Sequence, residues 1–122
     1  MNEVEKNIQK KIIKDVRPWG FFIQYAHNEI CNVKIITVNS NQVLSKQVHQ
    51  KRDELWVVLD DGLRAELDDR IIDLKAGDEI VVPRKTKHRL SSTGKIGRIL
   101  EVSFGHFDEE DIERLDDVYG RK

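Results

Sequence analysis

A near absence of cysteine sets the first limit. Cys31 is the only one in 122 residues, so no disulfide can form within the chain and a reducing compartment is expected. Cys31 itself reads as a small buried apolar residue. An excess of charge of one sign is missing too. The 21 Lys and Arg are balanced by 22 Asp and Glu, and a net charge of −1 gives no reason to expect nucleic acid or an acidic membrane surface as a partner. No apolar run approaches the length of a membrane span, and the charged N-terminus lacks a signal-peptide pattern, so a cytoplasmic protein is expected. There is no internal repeat and no low-complexity linker. What is present is 39% hydrophobic and 35% charged residues, the balance of one soluble globular domain with its own core.

Turn residues recur at short intervals along the chain. Pro18 and Gly20 punctuate a turn in Arg17-Pro18-Trp19-Gly20, Asp60-Asp61-Gly62 is a hairpin signal, and Lys75-Ala76-Gly77-Asp78 turns the chain again. Between such points the pattern predicts strands over 21–25, 30–38, 43–49, 54–59, 63–67, 70–74, 79–82, 87–91 and 97–104. Strands this short and this regular argue for an all-β sandwich or barrel. Short helices are expected at both ends. Residues 3–14 carry Val4, Ile8, Ile12 and Ile13 at helical spacing, for packing on a partner or on the barrel exterior; a frayed charged leader is the alternative. Near the C-terminus Asp108 would cap a helix with Glu109, Glu110 and Asp111 in its first turn and Ile112 and Leu115 on its apolar face. Residues 1–15 thus read as an extension and 16–122 as the β domain. Trp19, Phe21, Phe22 and Trp56 are expected in the core.

The chemistry concentrates between Ser45 and Trp56. Gln47 and His49 are two apart and share a face on a strand. Glu54 follows across a short connection and opens the next strand, and Pro83 ends a strand just before His88. An amide oxygen, two imidazoles and a carboxylate would form an open site for one divalent metal, with Zn, Mn, Fe, Co or Ni all suited to that donor set. Arg52, between His49 and Glu54, is either a phosphate- or anion-binding group at the pocket mouth or a surface arginine in a turn. In the strand over 30–38, Lys34 shares a face with Ile36 and Val38; in the strand over 97–104, Glu101 shares a face with Ile99 and Ser103. If those faces point inward, Lys34 and Glu101 stand opposite each other, and a buried charge of this kind is a candidate acid or base. Arg89 should point away from His88, to a structural or interface role. Arg17 and Lys87 are weaker phosphate candidates. His27 and His106 lie in loop contexts.

Two motifs resemble those of cupins. Gly77, Pro83 and His88 fall at the spacing of the second cupin motif, with Lys85 and Ser92 where it has glycine and asparagine. Gln47-x-His49 and Glu54 resemble the first, with Gln47 in place of its first histidine and Gly62 one residue late. A closer resemblance is to the type II phosphomannose isomerase cupin, usually the C-terminal part of bifunctional mannose-1-phosphate guanylyltransferase/mannose-6-phosphate isomerases. It rests on Arg17-Pro18-Trp19-Gly20, Val33-Lys34, Ser45-x-Gln47-x-His49-x-x-Arg52-x-Glu54-x-Trp56, Pro83 with His88-Arg89-Leu90, and Asp111-Ile112 through Asp117-x-Tyr119-Gly120-Arg121. It covers about residues 16–121, and Gln50 and Lys51 stand where the family has further histidines.

The resemblance implies a cupin (double-stranded β-helix, jelly-roll) barrel of the free-standing kind, since 122 residues leave no room for a nucleotidyltransferase domain. It implies a metal-dependent isomerase that interconverts mannose 6-phosphate and fructose 6-phosphate, with zinc favoured and a sugar phosphate as the small-molecule partner. Gln47, His49, Glu54 and His88 would hold the metal. Arg52 and Glu101 would act in catalysis, and Lys34, Arg89 and Arg17 in substrate binding. A homodimer is expected, because cupin barrels often pair through an edge strand or an N-terminal segment. The rival is a non-catalytic cupin that binds a sugar phosphate or sugar nucleotide, supported by Gln50-Lys51. A small metal-dependent oxygenase would share the metal site but would not explain the Arg-Pro-Trp-Gly and Tyr-Gly-Arg ends.

Overall fold

The computed structural model describes residues 2–105 and 110–120. The chain opens with helix α1, Glu3–Lys11. The Asn2 side chain accepts from the Glu5 amide at 2.8 Å, acids fill the first turn and lysines the last, so both ends suit the helix dipole. The helix ends short of the expected residue 14. Ile13 already belongs to β1, Ile13–Arg17, which pairs with β2, Gly20–Gln24, in a hairpin closed by Pro18 and Trp19.

The remaining strands are β3, Cys31–Val38; β4, Lys46–Val48; β5, Arg52–Val58; β6, Leu63–Leu67; β7, Arg70–Leu74; β8, Glu79–Val82; β9, His88–Ser92; β10, Gly97–Gly105; and β11, Glu113–Asp116. Two antiparallel sheets result. One has the order β3-β10-β5-β8 and the other β11-β4-β9-β6-β7. Their inner faces make the main core, in which Val38, Trp56, Val58 and Ile99 meet Leu63, Ala65, Leu67 and Leu90. The strands expected between residues 21 and 104 are all present, with shifts at their ends and with 43–49 reduced to a short strand preceded by a single bridge from Val43 to Ser91.

Strand β5 is buried on both faces, and its sequence shows why. Glu54, Trp56 and Val58 point between the sheets, while Leu55 and Val57 join Ile8, Val102 and Phe104 under α1. The N-terminal segment therefore packs on the outside of the barrel, and Ile8 is its buried anchor.

Two expectations need correction. Trp19, Phe21 and Phe22 are not core: Trp19 is 73% and Phe21 54% exposed, on a two-stranded sheet separate from the two large ones. Aromatic and β-branched residues make a segment a strand without saying whether a second layer covers it. The C-terminal helix is also replaced. Its proposed cap, Asp108, and Glu109 lie outside the described residues, but Leu115, meant for its apolar face, sits in β11 beside β4. Backbone pairing with an open sheet edge overrides the weak helical preference of so short a stretch.

Candidate metal centre

The site lies between the sheets. His49, Glu54 and His88 are all buried, and one ligand atom from each lies within 4.8 Å of the others. The Nε2 atom of His49 is 3.3 Å from one Glu54 oxygen, and that of His88 is 3.9 Å from the other. The two imidazoles are held from behind. His49 Nδ1 lies 2.6 Å from the Asp111 carbonyl and His88 Nδ1 3.0 Å from the Thr86 carbonyl. A carbonyl can only accept, so each Nδ1 carries the proton and each Nε2 keeps its lone pair toward the cavity. This is the tautomer a metal needs, fixed by groups outside the ligand set. Burial pushes the His49 imidazole below its usual range, which keeps it neutral. The indole N–H of Trp56 donates to the other carboxylate oxygen of Glu54 at 3.1 Å and orients it.

Sheet register supplies Gln47. It sits directly beside His88 across β4 and β9 and lines the same cavity. Its amide nitrogen donates to Ser45 Oγ at 2.7 Å, so the amide oxygen, the atom a metal would take, is not used in that bond. Two imidazole nitrogens, a carboxylate and an amide oxygen, buried and already oriented, fit a divalent cation of the first transition row or zinc.

Arg52 is neither at the surface nor at the mouth. It is 6% exposed, donating through Nε to Glu54 at 3.1 Å, with Nη2 3.1 Å from His49 Nε2. The His49 lone pair that Arg52 faces is the one a metal would use. A bound cation and this contact are therefore alternatives.

Glu101 faces the triad from β10. In register it stands opposite Trp56 on one side and Lys34 on the other, so the expected Lys34–Glu101 pairing is present. Glu101 is buried, and its carboxyl is pushed up to about 7, first by burial and then by the negative charge of Glu54. Ser103 donates to it at 3.3 Å. Lys34, His49, Arg52, Trp56, His88 and Glu101 line a cavity of about 280 Å³. That is near the low end of small-molecule sites, roughly 300–1,000 Å³, and suits a compact polar ligand.

Other expected site residues are placed differently. Arg89 lines the cavity, with its guanidinium donating to the Leu44 carbonyl and to both the carbonyl and carboxylate of Asp116, tying β9 to the last strand. Arg17 is exposed on the hairpin, bonded to Asp15, and is not among the residues lining the cavity. Lys87 is exposed and not in the lining either, and His106 lies outside the described residues. Two residues were missed. Asp111, assigned to a helix start, instead binds the amides of Gln50 and Lys51 with its carboxylate and His49 with its carbonyl. Arg114 lines the cavity from β11. Its signal was the period-two pair Ile112 and Arg114, which a strand puts on one face; both line the cavity.

Known proteins resemble the chain in two ways. Solved structures at low identity share its fold. The Streptomyces nucleoside dehydratase Pac13 superposes with a TM-score of 0.64 at 13% identity, covering 89% of this chain and 88% of that one. A Klebsiella pneumoniae protein with a double-stranded β-helix domain gives 0.62 at 14% identity, over 93% and 95%. The barrel is thus of the cupin type, as expected. In sequence, the alginate biosynthesis protein AlgA of Pseudomonas aeruginosa is 39% identical over 107 residues, 86% of this chain and 22% of AlgA. The mannose-1-phosphate guanylyltransferase ManC of Salmonella typhimurium is 36% identical over 107 residues, 86% of this chain and 22% of ManC. The chain spans less than a quarter of the length of these two relatives. Residues 3–117 match the family described as mannose-6-phosphate isomerase C-terminal, and with its buried His49–Glu54–His88 cluster the chain belongs to that family.

Proposed function

We propose that the chain is a metal-dependent aldose–ketose isomerase that interconverts mannose 6-phosphate and fructose 6-phosphate. One observation carries this reading: Glu101, a buried carboxyl with a pKa near 7, shares a cavity with His49 and His88 of the oriented triad and feels the charge of its third member, Glu54. Moving a hydrogen between C2 and C1 of a sugar needs a base that can take a proton at neutral pH and give it back. Glu101 fits that demand, taking the C2 proton of the aldose and returning it to C1 of the enediol. Lys34, opposite it in register, favours its ionised form. Arg52, bonded to Glu54, places a positive charge beside the triad, where negative charge develops on the sugar oxygens. A divalent ion held by His49, Glu54, His88 and Gln47, with zinc the first choice, would polarise the C1 and C2 oxygens.

The test is a coupled assay of mannose 6-phosphate turnover. Activity should disappear with chelator and return with added divalent metal. Tight binding of the sugar phosphate without turnover would select a non-catalytic binding cupin instead, a reading to which the altered Gln50-Lys51 segment lends support.

A further inference from the structure

We infer that Arg114 forms the anion-binding end of the cavity and takes the phosphate of a phosphate monoester whose other end lies at the triad. The inference rests on the reading of the cavity as a sugar-phosphate site and names the residue that would make it selective for the phosphate.

Among the described residues, Lys34, Arg52, Arg89 and Arg114 are the lysines and arginines that line the cavity. Arg52 is held against Glu54. Arg89 is engaged by Leu44 and Asp116. Lys34 lies across from Glu101. Arg114 differs from all three. Its Nε is buried, yet has no hydrogen-bond partner among the described residues. Charged donors removed from water are normally paired, so a guanidinium N–H left this way calls for an acceptor that the described residues do not supply.

Position supports the same assignment. Arg114 pairs with Gln47, and Gln47 with His88, so the three form one row across β11, β4 and β9. Members of such a row point to the same side of a sheet. Arg114 therefore starts two strand spacings, about 10 Å, from His88 along the cavity wall. A hexose 6-phosphate is polar at two opposite ends, its C1/C2 oxygens and its phosphate, and the row presents a matching pair of sites. An arginine also offers parallel N–H donors that fit two phosphate oxygens at once, which a lysine cannot.

The experiment compares wild type with Arg114→Gln and Arg114→Lys. Binding of mannose 6-phosphate, mannose and inorganic phosphate is measured calorimetrically, alongside kcat and KM. Arg114→Gln should weaken mannose 6-phosphate binding roughly 10- to 100-fold, leave mannose unchanged and act mainly on KM. Arg114→Lys should recover part of the loss. In wild type, inorganic phosphate should displace mannose 6-phosphate but not mannose, a readout that needs no variant. Unchanged affinity in Arg114→Gln, equal losses for mannose and mannose 6-phosphate, or failure of phosphate to compete would each overturn the inference. If isomerase activity persists in Arg114→Gln with unaltered KM, only the inference falls. If wild type binds phosphate through Arg114 but isomerises nothing, the inference stands and the isomerase reading falls.

Discussion

The cavity and the β1–β2 hairpin invert the usual distribution of residue types. Between the sheets, His49, Arg52, Glu54, His88 and Glu101 are buried. On the hairpin, Val16 and Trp19 are each 73% exposed. Apolar residues on a surface are common, but ionisable groups gathered in a core are not. The cavity keeps them because they hold one another. Glu54 accepts from Arg52 and Trp56, and backbone carbonyls anchor both histidines. Such a network is expensive to disturb, whereas the hairpin's side chains have little burial to lose.

The sharpest way to break this contrast is to remove a triad ligand. His88→Ala should abolish stoichiometric metal binding and lower the proposed isomerase activity by more than about 100-fold, read by elemental analysis and the coupled assay. Stoichiometric metal in that variant would remove the triad from the argument.

Next in size is a truncation in the apolar cluster on the outer face of β5. Leu55 is fully buried under α1, and Leu55→Ala should cost about 2–5 kcal/mol in denaturant unfolding. Trp19→Ser on the hairpin should change the same measurement by no more than about 0.5 kcal/mol at protein concentrations where the chain is monomeric. Equal losses would mean that the hairpin is as integral to the fold as the barrel.

Glu101 gives a pH test. Its folded pKa of about 7 lies above the model-peptide value, so the folded state binds its proton more tightly than the unfolded chain. The stability this contributes is fully present at acidic pH and is lost as pH rises from about 4.5 through about 7. The full span is on the order of 3 kcal/mol. In the presence of chelator, Glu101→Gln should flatten that part of the stability profile. A profile with the same slope in the variant would assign the dependence to another group.

The smallest expected effect concerns Lys85. It stands where the cupin motif has glycine, and its φ of +67° lies in the left-handed region. Among the described residues, the other non-glycine residues with positive φ are Asn28, Asn41 and Asp68, types that tolerate it better. Lys85→Gly relieves that strain but adds freedom to the unfolded chain, so a net gain of about 0–1 kcal/mol in thermal unfolding is expected.

Much of this molecule was legible because a strand has a period of two. Alternation alone put Gln47 with His49, Lys34 with Ile36, and Glu101 with Ile99 and Ser103, and the placement of Pro83 brought His88 to a strand start. The metal donors and the Lys34–Glu101 pair followed without knowledge of the sheet order. Alternation says which residues share a face, not what covers it. Only the packing of two sheets and α1 decided that the apolar residues of β5 are buried while those of the hairpin are exposed. Only long-range register carried the last strand to the edge beside β4, which turned Asp111 into an anchor for His49 and brought Arg114 to the cavity. Arg52 shows the same limit most plainly. Its neighbours in sequence mark it as part of the site, but its burial against Glu54 and His49 depends on the enclosing walls, and those are built by residues far away in the chain.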